Sequence, residues 1–124
     1  MFSFVTLGTN NIAKSKLFYE ELLEIISIVK VEETERYVGY AKKNNLKNSE
    51  FYLMKPHNKK KATCGNGTMI TFTAESRKNV IDFYNLALKL GGKDEGLPGP
   101  RHEENFYAYF RDLDGNKICV FCLD

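Results

Sequence analysis

Few side chains in this sequence suit acid–base or metal chemistry, and most of them lie in segments that predict loops. There are two histidines, His57 and His102. His57 lies in the basic stretch KPHNKKKATCGNG, which predicts a solvated linker, with a phosphate-binding patch as the alternative. His102 lies beside Glu103 and Glu104, where it could act as a general base, although exposed loop residues are the more common interpretation.

The three cysteines, Cys64, Cys119 and Cys122, do not describe a disulfide framework. Cys119 and Cys122 fit the C-x-x-C pattern, but redox motifs of that kind begin a helix, where the dipole lowers the thiol pKa. Their flanks, KICVFCL, are β-branched and aromatic and predict a strand. We therefore predict two buried thiols.

The segment FYAYFR predicts a strand on which Tyr107, Tyr109 and Arg111 share one face. Two hydroxyls and a guanidinium could orient an anionic or aromatic ligand. Tyrosines at the rim of a sheet that reach water are the alternative. The following Asp112-Leu113-Asp114-Gly115-Asn116 is not an EF-hand loop, because the positions that need Gly and Glu hold Lys117 and Leu123, so it predicts a hairpin turn.

Composition places these residues in one small globular domain. The 124 residues are 43% hydrophobic and 27% charged, and the net charge of +2 argues against a nucleic-acid partner. No apolar run is long enough to cross a membrane. The beginning, MFSFVTLGTNN, lacks the features of a signal peptide, so we expect a cytoplasmic protein.

The order of predicted elements repeats along the chain. A strand, a helix and three strands occupy about residues 1–55, a linker about 56–66, and a strand, a helix and two or three strands about 67–124. A shift of 65 residues superposes Phe18-Tyr19 on Phe83-Tyr84. We infer a single α+β domain, residues 1–124, made of two βαβββ modules.

Alternation along the strands predicts that one face of each curved sheet packs on its helix and the other is concave. A concave and mostly apolar surface with a few polar groups is typical of a small-molecule site. Of Tyr37 and Tyr40, only one can join that surface. The predicted lining residues are Phe4, Thr6, Tyr52, Met54, Met69, Thr71, Tyr107, Tyr109, Arg111, Cys119 and Phe121.

The sequence resembles the vicinal oxygen chelate superfamily, which includes glyoxalase I, bleomycin-resistance proteins and extradiol dioxygenases. The segments that carry the resemblance are FVTLGTNNIAKSKLFYEELL, GNGTMITFTAESRKNVIDFYNLAL, GGKDEGLPGPR and FYAYFRDLDGNK. The resemblance implies paired βαβββ modules around a cavity. In metal-dependent members, His, Glu or Gln side chains from the first and last strands of each module hold a divalent ion, which acts as a Lewis acid on the substrate.

The resemblance places those four ligands on Phe4, Met54, Met69 and Cys119 of this chain, with the 65-residue shift pairing Phe4 with Met69 and Met54 with Cys119. A phenyl ring cannot ligate a metal, and thioethers and thiolates suit soft ions. We therefore predict no metal site and no cofactor.

We predict that the protein binds a small, partly apolar ligand in its cavity without a metal, and that it forms a homodimer, as this family often does. The first alternative is a metal-dependent glyoxalase-like lyase or dioxygenase. The second is a structural or regulatory protein in which Phe4, Met54 and Met69 fill the cavity.

Overall fold

The computed structural model describes residues 1–123, which divide into two compact units. The first unit is Met1–Thr63, and the second begins at Cys64. Each unit consists of a strand, a helix and three further strands. This confirms the α+β class and the duplicated βαβββ module.

The first unit is a four-stranded mixed sheet with one helix. The strands follow the spatial order β1-β4-β3-β2, with β1 parallel to β4 and the other neighbours antiparallel. Its elements are β1 (Val5–Gly8), α1 (Ile12–Glu24), β2 (Ile28–Glu33), β3 (Tyr37–Lys42) and β4 (Ser49–Met54).

The helix α1 packs on one face of this sheet through four side chains at helical spacing. It begins after Asn11, whose side-chain oxygen accepts a hydrogen bond from the Lys14 N–H at 3.1 Å. Thr9 and Asn10 also have side chains that favour an N-cap, but they lie before it, and the Thr9 hydroxyl accepts from the Asn11 N–H. The buried helix residues of the core are Phe18, Tyr19, Leu22 and Leu23.

The β-branched run from Ile25 to Val31 predicts a strand, but the start of that strand is wrong, because β2 begins at Ile28. The amide groups of Ile25, Ile26 and Ser27 donate to the carbonyl groups three residues earlier, which extends the end of α1 by a tight turn. Ser27 then adopts a φ of 60°, which redirects the chain into the strand. A β-branched run alone does not reveal such a turn.

The second unit repeats this architecture with the order β5-β8-β7-β6, in which β5 is parallel to β8. Its elements are β5 (Ile70–Thr73), α2 (Arg77–Lys89), β6 (Lys93–Arg101), β7 (Asn105–Arg111) and β8 (Lys117–Cys122). The last module therefore has three strands after its helix, the larger of the two numbers that the sequence allowed.

Serine is a residue type that favours helix N-caps, and Ser76 is confirmed as the cap of α2, because its hydroxyl accepts from the Asn79 N–H at 3.1 Å. Its apolar face packs against alternate residues of β7 and β8. The buried residues of this core include Val80, Phe83, Tyr84, Ala87, Phe106, Ala108, Phe110, Ile118 and Val120.

The hairpin turn between β7 and β8 is built around the buried carboxylate of Asp112. Its Oδ1 accepts from the N–H groups of Asp114 and Asn116, both at 2.9 Å, and its Oδ2 accepts from Asn116 Nδ2 at 3.0 Å. Gly115 takes a φ of 89°, which favours glycine. The predicted turn is confirmed, and it fixes the strand ends that carry Arg111 and Lys117.

Candidate functional site

Each sheet has one face against its helix and one face away from it, which we call the open face. In the first unit, Leu7, Phe51 and Leu53 are buried on the helix side, while Thr6 is exposed and Tyr52 is half-buried on the open face. In the second unit, Phe106, Ala108 and Phe110 of β7 are buried, and the residues between them are half-buried. The open faces carry the predicted lining residues Phe4, Thr6, Tyr52 and Met54 in the first unit and Met69, Thr71, Tyr107, Tyr109, Arg111, Cys119 and Phe121 in the second.

The strand register corrects one pairing between the two units. Val5 lies opposite Phe51, whereas its equivalent Ile70 lies opposite Ile118. The counterpart of Cys119 in the first unit is therefore Tyr52, and the pairing of Cys119 with Met54 is wrong by two residues. The 65-residue shift fails here because the chain between helix and last strand is longer in the second unit. A slip of two residues keeps both side chains on the open face.

Three aromatic rings form a stacked row on the open face of the second unit. Tyr107 lies 5.3 Å from Phe121 and 6.1 Å from Tyr109 between ring centroids, with interplanar angles of 21° and 2°. Strand pairing brings them together, because Tyr107 lies opposite Phe121 and is two residues from Tyr109. The row gathers three half-buried rings on this face and forms an apolar surface against which another ring can pack.

Two cations lie over the end of this row. The Arg101 guanidinium carbon is 5.3 Å from the centre of the Tyr109 ring, and the Lys117 ammonium is 5.7 Å from it. Arg101 is held in place by the carbonyl groups of Leu97, Gly99 and Tyr107, to which it donates at 2.8 to 3.3 Å. Within residues 1–123, no carboxylate pairs with either cation.

Arg101 and Lys117 were not among the residues that the sequence singled out. Arg101 ends β6, whose pairing with β7 shifts register between Asp94 and Gly96 and again between Gly96 and Gly99. These register shifts break the alternation of side chains along a segment rich in Gly and Pro. The sequence pattern therefore does not show which residues of β6 lie on which face of the sheet. Lys117 could have been found, because it begins the predicted last strand two residues before Cys119.

Arg111, the guanidinium that the sequence proposed for this surface, is engaged elsewhere. Its Nε donates to Glu95 Oε1 at 2.9 Å, and another of its nitrogens donates to the Gly115 carbonyl at 3.1 Å. These contacts tie the β7–β8 turn to β6. Arg111 therefore positions the strands, and its contact with a ligand stays a prediction.

Cys119 lies beneath the aromatic row and is 1% exposed. Burial raises the pKa of its thiol, and the hydrogen bonds that it makes with Thr71 and Tyr109 offset this only in part. The thiol is therefore protonated at neutral pH. Cys122 is also buried, so the prediction of two buried thiols is confirmed.

The open face of the first unit has a different charge. Tyr52 lies between Phe4 and Tyr37, with ring centroids 5.2 and 5.7 Å apart. Its hydroxyl donates to Glu32 Oε2 at 2.7 Å, and the Ser49 hydroxyl donates to the same oxygen at 2.6 Å. The hydrogen bonds from Ser49 and Tyr52 lower the pKa of Glu32, and the bond to Glu32 raises the pKa of Tyr52. Of the two tyrosines that competed for this surface, Tyr37 joins it and Tyr40 is buried in the core.

An open pocket of ≈ 360 Å³ lies beside the linker that follows β4. The linker is anchored by Asn10, whose amide donates to the Ala62 carbonyl at 3.2 Å and accepts from the Ala62 N–H at 2.7 Å. Residues 57–61 are exposed, as expected of a solvated linker. The lining residues are Thr6, Gly8, Met54, Pro56, His57, Asn58, Lys61, Ala62 and Thr63.

The remaining histidine, His102, is exposed at the turn between β6 and β7, 5.4 Å from the Tyr107 ring. Its φ of 50° marks the turn. In the part of the chain that the structure describes, no three His, Cys, Asp or Glu side chains are grouped closely enough to hold a metal ion. Neither helix of the described residues is long and apolar enough to span a membrane.

Two βαβββ units with these strand orders are the architecture that the resemblance implied. The chain belongs to the Glyoxalase/Bleomycin resistance protein/Dioxygenase superfamily, whose sequence profile matches residues 2–120. It is 34% identical to a glyoxalase/bleomycin resistance protein from Albidiferax ferrireducens T118, with a TM-score of 0.90 over 100% of this chain and 99% of that one.

More distant structures share the fold. A glyoxalase-related enzyme from Fulvimarina pelagi is 15% identical with a TM-score of 0.79, covering 99% of this chain and 88% of that one. Lactoylglutathione lyase from Agrobacterium tumefaciens is 14% identical with a TM-score of 0.70, covering 98% and 92%. Likeness at these identities concerns the fold alone. No curated protein sequence is significantly similar to the chain.

Proposed function

We propose that the protein binds a small ligand with an apolar, ring-containing body and a negative charge on the open face of its second unit, and that it does so without a metal ion. The observation that carries this proposal is the stacked row of Phe121, Tyr107 and Tyr109 beneath two cations that no described carboxylate neutralises. Membership of a superfamily that includes bleomycin resistance proteins favours sequestration of a small molecule.

The ring stack supplies the apolar part of the interaction. A planar ligand that packs against the exposed part of this row gains apolar burial, and an aromatic contact of about 0.5–1.5 kcal/mol beyond that burial. The half-buried rings are already oriented by strand pairing, so little side-chain freedom is lost on binding.

Arg101 and Lys117 supply the charge preference. Arg101 uses part of its five N–H donors on backbone carbonyl groups, which fixes its plane and leaves the others for a ligand carboxylate or phosphate. Lys117 makes no ion pair among residues 1–123. An anion that bridges the two would form charge-assisted hydrogen bonds at an apolar surface.

A metal ion has no suitable ligands at the places that the family uses. Phe4 is 57% exposed and Met69 is 41% exposed, and neither side chain holds a hard or borderline ion. Cys119 is a buried and protonated thiol, and its counterpart Tyr52 is a phenol that donates to Glu32. This donor set does not fit the family's divalent ion, so the proposed function involves no Lewis acid.

A calorimetric titration with 1-naphthoate, a bicyclic aromatic carboxylate, tests the proposal. We expect binding that is weakened roughly tenfold by Tyr107→Leu and about fivefold by Lys117→Met. The matched control is Lys89→Met, which removes an exposed positive charge from α2 and should leave the affinity unchanged. The neutral analogue 1-naphthalenemethanol should bind more weakly than the carboxylate.

Equal affinity for the neutral and anionic probes would contradict the charge preference. Absence of any binding or thermal stabilisation by both probes would favour a structural or regulatory protein. Binding that needs an added divalent ion would favour a metal-dependent lyase or dioxygenase.

We also propose that the protein acts in the cytoplasm as a homodimer. Each sheet has two edge strands, β1 and β2 in the first unit and β5 and β6 in the second. Unpaired strand edges are commonly covered by a second copy of the same chain. Light scattering should give twice the 14.3 kDa of one chain, and a mass of 14.3 kDa would contradict the proposal.

A further inference from the structure

The first unit carries a second surface whose chemistry the proposed function does not use. We call Phe4, Tyr37, Tyr52 and Glu32 on its open face the Tyr52 cluster. The rings of Phe4 and Tyr37 stand at 72° and 69° to the ring of Tyr52. Phe4 is 57% exposed, so its ring is not part of the hydrophobic core. Phe4 and Tyr37 thus each contact the Tyr52 ring edge to face, unlike the parallel stack in the second unit, so the three rings present both faces and edges on this surface.

A carboxylate is fixed beside these rings. Glu32 Oε2 accepts from the hydroxyl groups of Tyr52 and Ser49, so its position is set and its charge is retained at neutral pH. The other charged side chains of β2 form ion pairs, since Lys30 pairs with Glu33 and with Glu20. Within residues 1–123, Glu32 has no ion-pair partner.

Gly39 makes this arrangement possible. A β-carbon at this position would lie 2.7 Å from Tyr52 Cε1 and 3.1 Å from Glu32 Oε2. Glu32 lies directly opposite Gly39 on β2, and Tyr52 lies opposite it on β4. The absence of a side chain on the middle strand therefore lets the ring and the carboxylate meet across it.

Aromatic rings and one ionised carboxylate select for positive charge. The negative faces of the rings attract a cation, and a quaternary ammonium group suits them because it has no N–H donors to leave unsatisfied. A divalent metal would need more oxygen ligands than one carboxylate and two hydroxyl groups provide. An anion would be repelled by Glu32.

We propose that the Tyr52 cluster binds a small organic cation of the alkylammonium type, through residues other than those of the anion-binding surface of the second unit. The proposal assigns the ring faces of Phe4, Tyr37 and Tyr52 to the alkyl groups and Glu32 to the charge. It does not depend on the proposed function, since the two surfaces share no residue.

Choline and its neutral isostere 3,3-dimethyl-1-butanol are the probes that test this. In an NMR titration of isotope-labelled protein up to about 100 mM probe, a range suited to weak ligands, choline should shift the amide signals of Glu32, Gly39 and Tyr52. The isostere should bind roughly fivefold more weakly, because it has the same shape without the charge.

Paired variants separate a specific site from general electrostatic attraction. Glu32→Gln should weaken choline binding about fivefold and leave the binding of the isostere unchanged. Glu33→Gln, the matched control, removes the same charge from the adjacent position, where the carboxylate pairs with Lys16 and Lys30. It should change choline affinity by less than about twofold. Tyr52→Leu should abolish binding, and Glu32→Gln keeps the test decisive if that variant does not fold.

Three results would overturn the proposal. They are equal affinity for choline and its isostere, equal effects of Glu32→Gln and Glu33→Gln, and no signal shifts around Gly39 at the highest choline concentration. Retained choline binding together with a failed naphthoate titration would refute the proposed function and leave this site intact.

Discussion

Replacing Gly39 with alanine tests whether the close approach of Tyr52 and Glu32 is a real constraint on this fold. The new β-carbon would lie 2.7 Å from Tyr52 Cε1, 3.2 Å from Tyr52 Cδ1 and 3.1 Å from Glu32 Oε2. The Tyr52 ring must move, which breaks its hydrogen bond to Glu32 and its edge contacts with Phe4 and Tyr37. Overpacking of this kind costs about 1–3 kcal/mol.

Gly99→Ala is the matched control on β6. Its β-carbon would come no closer than 4.0 Å to Arg101 and to the Leu97 carbonyl, which is ordinary contact. Because alanine restricts the unfolded chain, we expect this variant to gain about 0.4–1 kcal/mol. Gly39→Ala shares this gain in the unfolded chain, so the free energies of unfolding of the two variants should differ by the cost of overpacking, about 2 kcal/mol, with Gly39→Ala the less stable.

Urea unfolding followed by circular dichroism measures this difference. With an m-value of about 2 kcal/mol/M, the midpoint of Gly39→Ala should lie about 1 M below that of Gly99→Ala. Choline binding should be weakened in Gly39→Ala and unchanged in Gly99→Ala. Equal midpoints, or a Gly39→Ala variant with unchanged choline affinity, would refute the reasoning about this glycine.

Three further predictions concern the acid stability, the β7–β8 turn and the thiols. Hydrogen bonds from two lysines lower the pKa of Glu33 from 4.5 to about 2, so its stabilisation is complete above pH 4.5 and is lost as the pH falls towards 2. Between pH 5 and pH 3 the urea midpoint should therefore fall less in Glu33→Gln than in the wild type. An equal fall of the midpoint in both proteins would contradict this. Asp112→Ala removes three hydrogen bonds at a buried turn, so it should lower the free energy of unfolding by about 2–3 kcal/mol. A loss below about 0.5 kcal/mol would show that the turn does not depend on this carboxylate. In native protein, a disulfide reagent should react at once with exposed Cys64 and only on unfolding with Cys119 and Cys122; rapid reaction of all three would contradict their burial.

The fold followed from local signals wherever strand and helix patterns were regular. The alternation in FYAYFR placed Tyr107 and Tyr109 on one face, and Ser76 marked the beginning of α2, both as the structure has them. The beginning of β2 was misplaced because Ser27 takes a left-handed conformation after a tight turn, which a β-branched run does not reveal.

The candidate sites were only partly predictable because their charged residues lie at irregularities. Glu32 reaches the open face through a register shift between Lys30 and Glu32, so simple alternation along β2 misassigns it. Arg101 ends a strand interrupted twice by glycine positions. The counterpart of Cys119 was displaced by two residues because a single 65-residue shift cannot accommodate modules of different length.

The central claim is that the open face of the second unit binds an aromatic anion without a metal ion. Titration of 1-naphthoate into protein treated with a chelator, and again after addition of zinc, nickel, manganese or iron, tests this most directly, with elemental analysis of each sample. The account predicts the same affinity in every sample and no stoichiometric metal. Loss of binding with the chelator and its recovery at about one metal ion per chain would contradict it.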